Sequence, residues 1–148
     1  MKWELSKQYF SDYGALVDIY FEPMNHDSWK RLFIWVNDNP DVSSVNCYIS
    51  STDQNIDHIP NNVDDLIGEK GFYCFVSLLF NGITLFLRFY DKDELECDVS
   101  SKEIDCEEKL SSLISMLNEI RNIVSVDKYI MCPENYKEGV FNINGVFN

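Results

Sequence analysis

Basic residues are scarce in this chain. Twelve Lys and Arg stand against 25 Asp and Glu, a formal charge of −13 over 148 residues. A surface so short of cations repels phosphate backbones and anionic lipid, which argues against nucleic acid and membranes as partners. Long apolar runs are missing too. The most apolar stretch, residues 72–90, is broken by Asn81-Gly82 and Arg88, and nothing approaches the roughly 20 residues of a membrane helix. The start, Met1-Lys2-Trp3-Glu4-Leu5-Ser6-Lys7, lacks the apolar core of a signal peptide. With only six Gly and four Pro, against ten Phe, eight Tyr and three Trp, neither a linker-rich nor a disordered chain is expected. Histidine occurs only at His26 and His58, and Cys47, Cys74, Cys97, Cys106 and Cys132 show no CxxC spacing. Zinc-finger spacing, HExxH, GxSxG and a glycine-rich phosphate loop are all absent, so no catalytic residue, metal or cofactor is assigned. An odd number of cysteines, with Cys74 and Cys97 at core-facing positions, reads as buried free thiols in a cytoplasmic protein.

What the chain has is a hairpin. Phe72–Phe80 and Ile83–Tyr90 flank Asn81-Gly82, the pair best suited to a type I′ turn, where both central residues need positive φ. A two-residue loop sets Phe80 opposite Ile83, Leu78 opposite Leu85, Val76 opposite Leu87 and Cys74 opposite Phe89, all on one apolar face. The other face pairs Leu79 with Thr84, Ser77 with Phe86, Phe75 with Arg88 and Tyr73 with Tyr90. It is mixed, so either a second layer or a partner covers it. After the turn Asp91-Lys92-Asp93-Glu94, Leu95 to Val99 alternates strictly, extending the hairpin to a meander with Leu95, Cys97 and Val99 inward.

Around this centre lie further elements. Ala15 to Phe21 reads as a strand ended by Pro23, and Ser44 to Ser50 and Lys128 to Cys132 as two more. Trp29, Leu32, Phe33 and Val36 recur at helical spacing, predicting a helix over about 28–37 capped by Asp27 or Ser28; a strand over Arg31–Val36 is the rival. The longest helix is expected from Cys106 to about Val124. Leu110, Leu113, Ile114, Leu117, Ile120 and Val124 make its stripe, and Asp105 with Glu108 a capping box. Trp3 to Phe10 is weakly patterned, strand or loop. Ser51 to Asn62 reads as loop, Val63 to Gly68 as a helical turn or two, and Asn144-Gly145 as a small second hairpin. The sum is one α+β domain over residues 1–148, a central antiparallel sheet packed by the two helices.

Chemistry is harder to find. His26 and His58 sit in polar turns. Asp53-x-Asn55-x-Asp57 starts like a calcium loop with Asp64 in twelfth place, but His58 holds the position that needs glycine and Asp64 is shorter than the usual Glu. Asp18, inside an apolar run, reads as pointing outward. The acids are unevenly spread: nine fall between Asp91 and Glu108, opposed only by Lys92 and Lys102. One reading is a solvated edge strand guarded by charge. The other is a docking surface for a basic protein, with Asp91, Asp93, Glu94, Glu96, Asp98 and Glu103 supplying charge and Tyr73 and Tyr90 aromatic anchors.

The strand Leu16 to Phe21 followed by Asp27-Ser28-Trp29, and the long helix followed by Tyr129-Ile130-Met131-Cys132-Pro133-Glu134-Asn135, resemble small immunity proteins of bacterial polymorphic-toxin and contact-dependent growth inhibition systems. That resemblance implies a non-enzymatic protein that binds a cognate toxin domain, basic and nuclease-like, and blocks it sterically and electrostatically. Two other functions compete. One is an acidic nucleic-acid mimic, or another interaction module, with no toxin partner. The other is an enzyme built around His26, His58 or Asp18.

Overall fold

The computed structural model describes residues 3–11, 14–60 and 71–148. Its helices are α1 (Trp3–Ser6), α2 (His26–Asp38) and α3 (Glu107–Val124), and its strands β1 (Leu16–Glu22), β2 (Val42–Ile49), β3 (Gln54–Ile56), β4 (Phe72–Phe80), β5 (Ile83–Arg88), β6 (Leu95–Ser100), β7 (Lys128–Pro133), β8 (Asn142–Ile143) and β9 (Val146–Phe147). Short 3-10 turns lie at Lys7–Phe10, Ser101–Glu103 and Lys137–Gly139.

The Asn81-Gly82 hairpin forms as its sequence dictates. Asn81 has φ 47° and Gly82 φ 76°, and Phe80, Leu78 and Val76 oppose Ile83, Leu85 and Leu87. The expected Cys74–Phe89 register continues as a backbone bond from Phe89 N–H to the Cys74 carbonyl at 3.1 Å. β6 adds to β5, Leu87 opposite Cys97, completing the meander. Among the described residues the strands form one antiparallel sheet of nine, ordered β3-β2-β4-β5-β6-β1-β7-β8-β9. The fold is therefore α+β, with the longer helix in the C-terminal half.

This order corrects one reading. β6 is not an edge strand: it lies between β5 and β1, so its carboxylates do not guard an edge. The edges are β3 and β9, three and two residues long, and such short edges resist further pairing.

One face of the sheet carries the main core. Val17, Ile19 and Phe21 of β1, Val76 and Leu78 of β4, Leu85 and Leu87 of β5, Cys97 and Val99 of β6 and Met131 of β7 are buried together with Trp29, Leu32, Phe33 and Val36 of α2 and Leu110, Leu113, Leu117, Ile120 and Val124 of α3. Aromatic contacts fix α2: Trp29 meets Phe89 at 5.1 Å edge-on, and Phe33 meets Phe72 at 5.9 Å. The helical period thus wins over the rival strand, because only a helix brings positions 29, 32, 33 and 36 to one side.

Four local readings are corrected. Asn25, not Asp27 or Ser28, caps α2, its Oδ1 accepting from the Ser28 N–H at 2.9 Å. The Asp105–Glu108 capping box is absent. Cys106 holds the cap position without a side-chain bond, and Asp105 pairs with Lys109 one turn on at 3.7 Å. Trp3–Phe10 is helical, not strand or loop, and packs Tyr9 on Phe141 at 4.4 Å. Cys47 and Cys74 are joined in a disulfide. They lie directly opposite in the β2–β4 register, a pairing that spacing along the chain does not reveal. Cys97, Cys106 and Cys132 are free.

Residues 51–53 and 57–58 are turns as expected, but β3 interrupts that loop. Asp53 is engaged by the Tyr48 hydroxyl at 2.8 Å. Val63–Gly68 and Asp64 fall outside the described residues.

Candidate partner interface

The sheet has a second face, and among the described residues no α-helix packs on it. Strand alternation sends Ser44, Asn46 and Tyr48 of β2, Tyr73, Phe75, Ser77 and Leu79 of β4, Thr84, Phe86 and Arg88 of β5, Glu96 and Asp98 of β6, and Asp18, Tyr20 and Glu22 of β1 to this side. Register lines them up in rows. One row runs Ser44, Ser77, Phe86, Asp98, Asp18, Cys132, and the next runs Asn46, Phe75, Arg88, Glu96, Tyr20, Ile130.

The segment after β7 covers the β1 end. Tyr20, Ile130 and Cys132 form a small buried cluster against Val140. Lys137 lies 4.5 Å over the Tyr20 ring and pairs with Glu94 at 2.6 Å and Glu22 at 3.3 Å. The Asn135 N–H donates to Asp18 Oδ2 at 2.8 Å. Over β4 and β5 the face stays open: Phe75, Leu79, Phe86 and Tyr90 are 37%, 52%, 39% and 47% exposed.

The centre is a carboxylate row around one cation. Arg88 Nε donates to Asp98 Oδ2, and its guanidinium lies 5.4 Å from the Phe86 ring centre and 6.0 Å from that of Phe75. Asp98 and Asp18 are adjacent across β6 and β1 and are almost fully buried. Burial pushes the Asp18 carboxyl above its ordinary value, the Asn135 N–H offsets part of that rise, and Asp98 and Glu134 add repulsion. Burial also raises Glu96, helped by Asp18, Glu94 and Asp98. Asp18, Asp98 and Glu96 against one guanidinium leave these two rows short of positive charge.

Of the residues marked from sequence, Glu94, Glu96, Asp98, Tyr73 and Tyr90 gather on this face or its rim. Tyr90 stacks edge-on against Phe75 at 5.8 Å. Asp91 and Asp93 lie exposed in the adjoining turn, which two bonds hold: Trp29 Nε1 donates to the Lys92 carbonyl at 2.8 Å, and the Met24 N–H to that of Asp93 at 2.7 Å. Glu103 stands apart, in the 3-10 turn beyond the far end of β6. It accepts from the Thr84 N–H at 3.3 Å. Asp18 faces this side as its alternation requires, yet it is 6% exposed rather than solvated. Its burial depends on residues 134–140, far away in sequence. His26 and His58 are exposed beside Asp27 and Asp57. Among the described residues no group of three or more His, Cys, Asp and Glu could hold a metal ion, and no helix is long and apolar enough to cross a membrane.

No protein-family model matches the chain, and no curated protein sequence matches it. Among solved structures it is similar to a chain in the crystal structure of the toxic C-terminal tip of CdiA from Pseudomonas aeruginosa in complex with its immune protein. The two share a fold. The match has a TM-score of 0.56 at 14% identity and covers 90% of this chain and 97% of the other. The likeness therefore falls on a complex of the kind the sequence resemblance implies.

Proposed function

We propose that this chain is an immunity protein that binds and neutralises a cognate bacterial toxin domain without catalysing a reaction. The observation that carries this reading is the fold shared, over nearly the whole of both chains, with a chain of a toxin–immune protein complex. Of the two roles in such a complex, inhibition suits this chain better. It is strongly acidic, and among the described residues it presents a sheet face of carboxylates and exposed aromatics.

The mechanism is occlusion. The partner is a basic, nuclease-type toxin domain. The negative field of the segment that carries Asp91, Asp93, Glu94, Glu96, Asp98 and Glu103 draws its cationic surface in place of substrate phosphates, while Tyr73 and Tyr90 supply contact area. The encounter takes place in the cytoplasm, where a toxin of this kind must be met.

Co-expression with the toxin domain encoded beside this chain tests the reading. Protection of the cells and recovery of a stable complex are expected. Unprotected cells with both proteins present, or two proteins that elute separately, would overturn it.

A further inference from the structure

Of the nine exposed large apolar side chains among the described residues, four share one place, the open stretch of sheet made by β4 and β5, and the next largest group is the pair Ile143 and Val146 on the short β8–β9 hairpin. Phe75, Leu79, Phe86 and Tyr90 all lie there. Isolated exposed apolar residues need no explanation, but a contiguous group on a sheet face marks a surface that is covered by something. An apolar depression between α2 and α3 is lined by Ile34, Trp35, Pro40 and Ile123. There only Ile34 is a strongly exposed large apolar residue.

Charge identifies the occupant. Arg88 is committed to Asp98. Glu96, its cross-strand neighbour, makes no ion pair among the described residues. Asp18 is met by a backbone N–H rather than a cation. A second cation placed near Glu96 would therefore meet uncompensated charge.

The geometry points to the open face of β4, β5 and β6 as the surface on which the toxin domain docks, Phe75, Phe86 and Tyr90 giving the apolar contact and Glu96 receiving a lysine or arginine of the partner. This rests on the immunity reading and locates its interface on the sheet side, not the helix side. The helices are then the outward side of the complex.

The test compares Phe86→Ala, Tyr90→Ala and Glu96→Lys with Ile34→Lys in the α2–α3 depression, titrating each against the toxin domain encoded beside this chain. Thermal melts confirm that each variant folds. The aromatic truncations are expected to weaken binding about 10-fold or more each, and the charge reversal about 100-fold, as interface anchors do. Ile34→Lys should stay within about 3-fold, the level of surface changes outside an interface. Loss of binding in Ile34→Lys with wild-type affinity in the other three would overturn the placement. A second arm needs no toxin: a peptide alternating arginine and leucine is titrated into the wild-type chain and followed by amide chemical shifts. Shifts centred on Phe75, Phe86, Arg88, Tyr90 and Glu96 support the docking surface; shifts confined to the helices, or none, overturn it. A wild-type chain that ignores the toxin domain but takes the peptide on this face would sink the immunity reading and keep the surface.

Discussion

At the scale of single residues, the open face holds charges that cost stability where they stand. Arg88 and Asp98 compensate each other, with side-chain exposures of 29% and 5%. Arg88→Met leaves Asp98 buried without its cation and should cost about 3 kcal/mol, the lower end for a broken buried pair because Arg88 keeps some water contact. Arg88→Met with Asp98→Leu should recover most of that loss, since an apolar pair needs no compensation. Urea unfolding of the three proteins decides; equal losses in single and double variants would show that Asp98 does not need Arg88. Asp18 gives a pH signature. Its carboxyl is raised above the ordinary 3.8, first by burial. The folded chain therefore binds more protons than the unfolded one between those two values, and stability falls as pH rises through that window. Asp18→Asn cannot ionise, and its Oδ1 can still accept from the Asn135 N–H. Its unfolding midpoint relative to wild type should climb across the acidic range and level off above it. A difference that stays flat with pH would contradict the assignment.

At the scale of elements, the turns carry the register. Gly82, at φ 76°, has only the flexible end of Lys109 near a potential Cβ, at 3.6 Å. Gly82→Ala should therefore cost only the backbone penalty of about 1–2 kcal/mol. Gly145, at φ 89°, would bring a Cβ to 3.2 Å from both Ile114 Cγ2 and the Tyr129 hydroxyl, so Gly145→Ala should cost more. Denaturant titration of both variants checks the order, and a cheaper Gly145→Ala would show that the small β8–β9 hairpin is not held against α3. These turns also mark what could be read from the sequence. Asn81-Gly82, the alternation of Leu95–Val99 and the stripe of α3 are local patterns, and each fixes its own element. Strand order is not local. β1 inserts between β6 and β7 because its alternating side chains fit both neighbours, and no spacing along the chain announces that. The sequence therefore supports an edge position for β6, and the Cys47–Cys74 pairing stays hidden with the β2–β4 neighbourhood. The candidate site divides the same way. Tyr73, Phe75, Phe86, Arg88 and Tyr90 follow from hairpin register, whereas Asp18 joins it through the β1–β6 pairing and Lys137 and Asn135 through the chain crossing after β7.

At the scale of the whole molecule, charge and contact area should act on different steps of binding. A chain carrying −13 draws a basic domain from beyond contact distance, and that attraction is screened over a Debye length of about 10 Å at 0.1 M salt. It therefore sets the association rate, while desolvated anchors set how long the complex lasts. Asp91 and Asp93 suit the first role. They are exposed in a turn held by Trp29 and Met24, and the one bond they share, from the Asp93 N–H to Asp91 Oδ1 at 2.8 Å, survives amide substitution. Phe86 suits the second, since its ring lies among Arg88, Asp98 and Ser77 on the open face. The paired variant Asp91→Asn, Asp93→Asn should slow association with the toxin domain by about 3-fold or more at low salt, flatten its salt dependence and leave dissociation within about 2-fold. Phe86→Ala should do the reverse, speeding dissociation about 10-fold or more with association nearly unchanged. Stopped-flow association and competition dissociation across a salt series separate the two. If the paired variant changed dissociation instead, Asp91 and Asp93 would lie inside the contact and the interface would extend past the sheet onto the turn. If neither rate responded to salt in the wild-type chain, its acidity would serve the isolated protein and not the encounter.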